Sequence, residues 1–306
     1  MTWLPDPAVV EEGQRMPTEN YNAQGTLIDA HNHLQDQRFG DDLADVLASM
    51  RDENIVHNIV NGTCEHDWPK VEALHKAHPD RISPAFGLHP WKTGARSKEW
   101  QEKLRHFLLE NPQASIGECG LDLWMRDADI DDQAEVFKIH MQLSREFDRP
   151  LTIHCLKAWP QLIELLDSSP PLPDFLLHAF NGPREHLASL CGRGAHFSFS
   201  GYFLHPRKQQ TMLTFRHIPN DRLLIETDAP DMAPPEIYQG NYHRDSYHHP
   251  ADLSFILTEL AKLRGVSRRQ CGDVTTQNAA RLFRLSGFRQ VLRNEEFKKE
   301  WHRHPR

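Results

Sequence analysis

The chain has 306 residues, 39% apolar and 25% charged, an ordinary globular composition that excludes disordered, collagen-like and coiled-coil classes. Its 35 Lys and Arg against 43 Asp and Glu leave a net charge of −8, which disfavours a stable non-specific nucleic-acid binder but not an enzyme that touches nucleic acid briefly. The 20 histidines direct attention to metal sites, and 5 cysteines without CxxC spacing suggest neither a disulfide framework nor a thiolate zinc site.

Residues 1–24 are rich in Pro, Glu, Asn and Gln without a clear period, and read as an N-terminal extension. They carry no basic and apolar leader pattern, and no run in the chain approaches the roughly 18 apolar residues of a membrane span. A reducing, cytoplasmic setting is the expectation. From Gly25 short apolar runs suited to buried strands recur at 27–30, 55–61, 82–87, 114–117, 151–154, 175–178, 195–200 and 223–227. Amphipathic stretches of helix length separate them, near 41–52, 67–78, 97–110, 129–148, 157–167, 183–191 and 206–217. A loop rich in Pro, Tyr and His follows at 229–250, then helices near 251–264 and 276–285.

Eight strand–helix alternations over about 250 residues predict an α/β fold, a single (β/α)8 TIM barrel spanning 25–288. The competing open doubly wound sheet lacks a GxGxxG or GxxxxGK[ST] after any strand. From Arg284 onward seven Lys and Arg against three Glu lead into a basic C-terminal tail, 289–306, which reads as a solvated terminal helix.

Five of the strand ends finish on residues that bind metals. The first reads Ile28-Asp-Ala-His31-Asn-His33, and positions i and i+2 on a strand share a face, so two imidazoles can reach one ion. An HxH alone is weak, since about one is expected by chance in such a chain. His302 and His304 form another in the polar tail, and the first pair differs in ending an apolar run. The fourth strand leads into Gly117-Glu118-Cys-Gly120-Leu-Asp122, a carboxylate between two glycines with room for close approach. A single Glu of this kind is more often a cap or a salt-bridge partner. The fifth and sixth strands end in His154 and His178, each of which alone would usually be a core histidine. The eighth gives Glu226-Thr-Asp228, whose carboxylates are expected on one face with Asp228 nearer the mouth.

In a barrel all eight C-terminal strand ends converge. His31, His33, Glu118, His154, His178 and Asp228 would then surround one cavity. Six ligands exceed the three protein ligands a catalytic ion usually takes, and match two ions about 3.5–4 Å apart sharing a carboxylate. Nitrogen and oxygen donors without thiolate suit Zn, Mn or Mg.

The ordered blocks IDAHNHL, FGLHPW, IGECGLDLW, IHCLKAW, LLHAFNGP, SFSGYF, LIETDAPDMAPP and TQNAARLF resemble the TatD-type metal-dependent hydrolases of the amidohydrolase superfamily, from about Leu27 to Phe283. The resemblance implies a barrel with two divalent ions and deoxyribonuclease activity. It implies that His31, His33 and Asp228 hold one ion, that His154 and His178 hold the other, and that Glu118 bridges. It also places His89 beside the site as a substrate or phosphate contact. Two departures fall where substrate contacts are expected: Leu156 stands at the usual arginine of IHxRxA with Lys157 after it, and His248 stands where Asn usually precedes Pro250.

These residues predict a phosphodiesterase acting through a metal-bridging water whose lowered pKa supplies hydroxide, with Asp228 and Glu118 catalytic and Asp228 taking the proton. Substrate binding is expected at His89, Lys157 and the 231–250 loop. The partner is nucleic acid or a small phosphodiester, bound transiently. One alternative is a hydrolase of a carboxylic ester, lactone or amide on the same binuclear site. Another is a non-catalytic metal-binding scaffold, which would have no need of six ligands.

Overall fold

The computed structural model describes residues 25–240, 242 and 247–288. The expected extension 1–24, the basic tail 289–306 and Arg244 of the long loop lie outside the described residues. Eight parallel strands form one sheet in chain order, β1 (Leu27–Asn32), β2 (Ile55–Asn61), β3 (Ile82–Phe86), β4 (Ser115–Asp122), β5 (Leu151–Leu156), β6 (Phe175–Leu177), β7 (Ala195–Ser200) and β8 (Leu223–Glu226). Nearly every strand residue is buried, the pattern of a parallel sheet covered on both faces. Backbone hydrogen bonds from Asp228 N–H to the His31 carbonyl (3.0 Å) and from His33 N–H to the Ala229 carbonyl (2.8 Å) span the seam between β8 and β1. The Asp29 carboxylate reinforces it by accepting from the Thr227 N–H (3.0 Å) and hydroxyl (2.6 Å). The sheet thus curves into a nearly closed (β/α)8 barrel.

Helices α1 (Leu43–Asp52), α2 (Trp68–Ala77), α3 (Trp100–Glu110), α4 (Ile130–Phe147), α5 (Trp159–Ser168), α6 (Leu187–Gly192), α7 (Gln209–Thr214) and α8 (Leu253–Arg264) follow the strands. A ninth, α9, runs over Arg268–Leu282 and starts eight residues before the expected 276. Its opening turns are too polar to show an apolar period. A capping box between Ser267 and Gln270 starts it, and small buried residues, Cys271, Gly272 and Thr275, let it lie close to the barrel. One apolar cluster joins Ile28, Ile59, Ala85, Leu176 and Leu224 of five strands to Leu282 and Phe283 at the end of α9. Side chains from strands so far apart in the sheet meet only inside the barrel, so the end of α9 plugs one mouth and leaves the other for the site.

Strand β4 is longer than expected, because Gly117 and Gly120 do not end it. Gly120 has φ +137°, and a Cβ there would stand 2.0 Å from the His154 carbonyl oxygen. Only glycine lets β4 and β5 approach this closely. The five cysteines are free thiols, as their spacing suggested.

Candidate active site

All six expected ligand residues meet at the open mouth. His31, Glu118 and His154 lie within β1, β4 and β5, whereas His33, His178 and Asp228 sit just past the ends of β1, β6 and β8. Asp228 has left-handed backbone (φ +57°), so strand alternation does not carry through Thr227 to reach it as the i, i+2 reading assumed. His31 Nε2 lies 3.3 Å from His33 Nε2, and each stands 3.3–3.4 Å from Asp228 Oδ1 and from Glu118 Oε2. The other oxygen of the same carboxylate, Oε1, is 2.8 Å from His178 Nε2 and 3.0 Å from His154 Nδ1. His154 Nδ1 and His178 Nε2 are 3.1 Å apart. Glu118 therefore faces one group of donors with each oxygen.

For His33 and His154, a partner on the far side of the ring fixes which nitrogen faces inward. The Asn61 carbonyl can only accept, and it lies 2.7 Å from His33 Nδ1, so that nitrogen carries the proton and Nε2 presents a lone pair. Likewise His154 Nε2 donates to Asp122 Oδ2 at 2.8 Å, and Nδ1 faces Glu118. In neutral rings, lone pair then meets lone pair, an arrangement that only a proton or a cation relieves. Burial disfavours charge on His33, but hydrogen bonds and attraction from Asp228 and Glu118 outweigh it and hold its pKa well above the usual value. Burial similarly opposes, and Asp122 and Glu118 overcome, the charge on His154. For Glu118 burial is outweighed by His178, His89 and His31, which hold its carboxyl well below the ordinary range, and Asp228 is held low by His31 and His33 against its own burial. Interlocked buried acids and imidazoles with inward lone pairs fit divalent cations.

His89 differs from these rings. Its Nδ1 accepts the Trp91 N–H at 3.1 Å, so Nε2 carries the hydrogen and points to Glu118 Oε1 at 3.4 Å. A ring in that tautomer is a donor towards the cleft rather than a ligand. Burial pushes its pKa down against the attraction of Glu118. The cleft has a volume of about 870 Å³, and its lining includes His33, His89, Glu118, His154, His178 and Asp228. His31 is fully buried beneath them. Lys157 is exposed on the cleft lining beside Leu156, and among the described residues of the long loop Asp231 and Met232 reach it.

His248 is not among the lining residues. It is buried with Nδ1 3.0 Å from the Asp231 carbonyl, and burial pushes its pKa down to about 4. It thus supports the loop from behind, unlike the substrate-side position the sequence suggested. Two supporting residues were absent from the expected site. Asp122 orients His154, and its signal was its i+4 spacing from Glu118 on one strand face. Ser198 hydrogen-bonds Glu226, whose Oε1 accepts the Ala179 N–H at 2.7 Å and lies 3.6 Å from His178 Nδ1. Nothing in the sequence marks Ser198.

The sequence profile of the family described as TatD related DNase matches residues 28–284. The chain belongs to the TatD-related DNase family. Among its relatives, the 3'-5' ssDNA/RNA exonuclease TatD of Erwinia tasmaniensis is 31% identical over 85% of this chain and 100% of that protein. The metal-dependent hydrolase YabD of Bacillus subtilis is 26% identical over the same share of this chain. The TatD homolog YJJV of Escherichia coli K12 superposes with a TM-score of 0.77 at 25% identity, covering 84% of this chain and 98% of that one. This TatD-family protein is a metal-dependent hydrolase acting on ester bonds. Among the described residues no helix is long and apolar enough to cross a membrane.

Proposed function

We propose that this protein is a two-metal phosphodiesterase that degrades single-stranded nucleic acid. The observation that carries the reading is Glu118, whose Oε2 faces His31 and His33, the two rings that also meet Asp228, while its Oε1 faces His154 and His178. His31, His33 and Asp228 would hold one ion, His154 and His178 the other, and Glu118 would be shared. Zn, Mn or Mg suits this nitrogen and oxygen donor set. Divalent ions supply a lowered pKa for water and offset negative charge gathering on phosphoryl oxygens.

The chain's own groups supply the rest. Asp228, kept ionised by His31 and His33, accepts the proton of the attacking water and returns it to the leaving oxygen. His89 Nε2–H, fixed by the Trp91 N–H, donates to a non-bridging oxygen of the substrate. Lys157 at the rim adds a positive charge where Leu156 replaces the usual arginine. Asp122 keeps His154 in the tautomer that leaves Nδ1 free. The name of the Erwinia relative supports single-stranded DNA or RNA as substrate and attack from a 3' end. The catalytic domain would span 25–288, with the flanking segments as appendages in a cytoplasmic protein.

Chelator-treated protein should be inactive and should regain activity with added Zn, Mn or Mg. A 5'-labelled single-stranded oligonucleotide would then give a ladder of shorter products. Metal-independent cleavage, or hydrolysis of a carboxylic ester with no phosphodiester cleavage, overturns the reading.

A further inference from the structure

Five large apolar side chains are exposed among the described residues, and two of them, Trp91 (48% exposed) and Trp124 (57%), are the tryptophans on the cleft lining. Their ring centroids are 5.9 Å apart and their planes 29° from parallel. Scattered exposed apolar residues need no explanation, but paired indoles on a catalytic cleft do. Both are tied to the site through their backbones. The Trp91 N–H donates to His89 Nδ1 at 3.1 Å, and the Trp124 N–H donates to Asp122 Oδ1 at 2.6 Å, while Asp122 Oδ2 accepts from His154. The His89 ring also stands edge-on to Trp91, with centroids 5.0 Å apart. The indoles are therefore held in register with the group that would receive the phosphate.

We propose that Trp91 and Trp124 form a stacking subsite for the nucleobase next to the scissile phosphate. The proposal rests on the phosphodiesterase reading and deepens it. An indole face accepts any base, so the subsite selects nucleic acid over small phosphodiesters without selecting sequence. It also favours single strands, since bases within a duplex are already stacked on their neighbours. Elsewhere on the cleft lining Tyr202 has the Arg207 guanidinium 5.2 Å and the Lys208 ammonium 5.3 Å from its ring centre, positive charge that suits the adjoining phosphates.

The test compares Trp91→Ala, Trp124→Ala and Trp124→Phe with the wild type on two oligonucleotides, one fully base-bearing and one abasic over its 3'-terminal residues. The wild type should prefer the base-bearing strand, mainly through KM. Each alanine variant should cut that preference about tenfold, and phenylalanine should retain most of it. A direct reading comes from indole fluorescence, quenched by a deoxynucleoside monophosphate but not by deoxyribose 5-phosphate, with less quenching in the alanine variants. Equal losses on both strands, or an unchanged preference, overturns the stacking subsite. If the wild type cleaves neither strand, the nuclease reading fails on its own. Quenching that is nucleotide-specific and lost in the variants would still uphold the subsite, and its absence would overturn it.

Discussion

Asp122 Oδ2 accepts the His154 Nε2–H at 2.8 Å, and through this contact a fully buried acid decides which nitrogen of His154 faces Glu118. Asp122→Asn would leave the shape but present an amide that can also donate. Metal affinity should fall about 10–100-fold, as for other partners that orient metal ligands. Titration of the metal-free protein with Zn or Mn checks this, and excess metal should restore part of the rate. Unchanged affinity would mean that His154 is not a ligand.

Glu118→Gln should abolish turnover and reduce the bound metal below two per chain. The amide keeps the size of the group but removes the negative charge that both donor groups face. Elemental analysis beside the rate assay decides the point. Full stoichiometry with full activity would show that Glu118 is not shared.

Asp228→Asn should lose activity by about 10²–10⁴-fold, the usual worth of a general base, while circular dichroism stays unchanged. The amide nitrogen cannot accept a proton. A rate near that of the wild type would move the proton acceptor elsewhere.

Lys157→Ala should raise KM severalfold for a charged phosphodiester and leave a neutral ester nearly untouched. The lysine is exposed on the cleft lining, where its charge is partly screened by water, so a larger effect is not expected. Equal losses on both substrates would indicate structural damage instead.

The metal-free protein should be most stable near pH 6.5 and less so on either side. On the acid side, burial lowers the folded-state pKa of His57, His140, His196 and His248 to about 4. The unfolded chain binds more protons there, so stability falls as pH drops from about 6.5 towards 4. Asp29 and Asp252, raised by burial to about 6 and about 7, act in the opposite sense and offset part of this loss. On the alkaline side, His33, His154 and His178 have raised pKa values; their stabilisation is complete below the unfolded value and is lost as pH rises through the folded ones. Thermal melts of chelated protein across pH should trace this maximum. Added divalent metal should raise Tm more at pH 8 than at pH 6, because it replaces those protons. A melting curve that keeps rising above neutrality without metal would contradict it.

The strand–helix rhythm and the residues at the strand ends were legible in the chain itself. Buried parallel strands must be apolar runs, and crossover helices must be amphipathic, so the barrel is written in local pattern. His31, His33, Glu118, His154, His178 and Asp228 were legible for the same reason, each being a polar residue that interrupts or ends an apolar run where a polar group is costly to bury. Polar small residues masked the start of α9, because the capping box and close packing leave no apolar period. Residue spacing could mark Asp122 only as sharing a face with Glu118, and it could not mark Ser198 or the inward role of His248 at all. Their partners lie on other elements, and contacts between elements are made by the closure of the sheet. Local sequence thus picked out the polar groups that gather at the mouth. The tertiary structure decided which nitrogen each imidazole turns inward, that each oxygen of Glu118 faces its own set of donors, and that two tryptophans 33 positions apart in sequence lie side by side at the cleft. Those are matters of distance between strands, and distance is set only when the barrel closes.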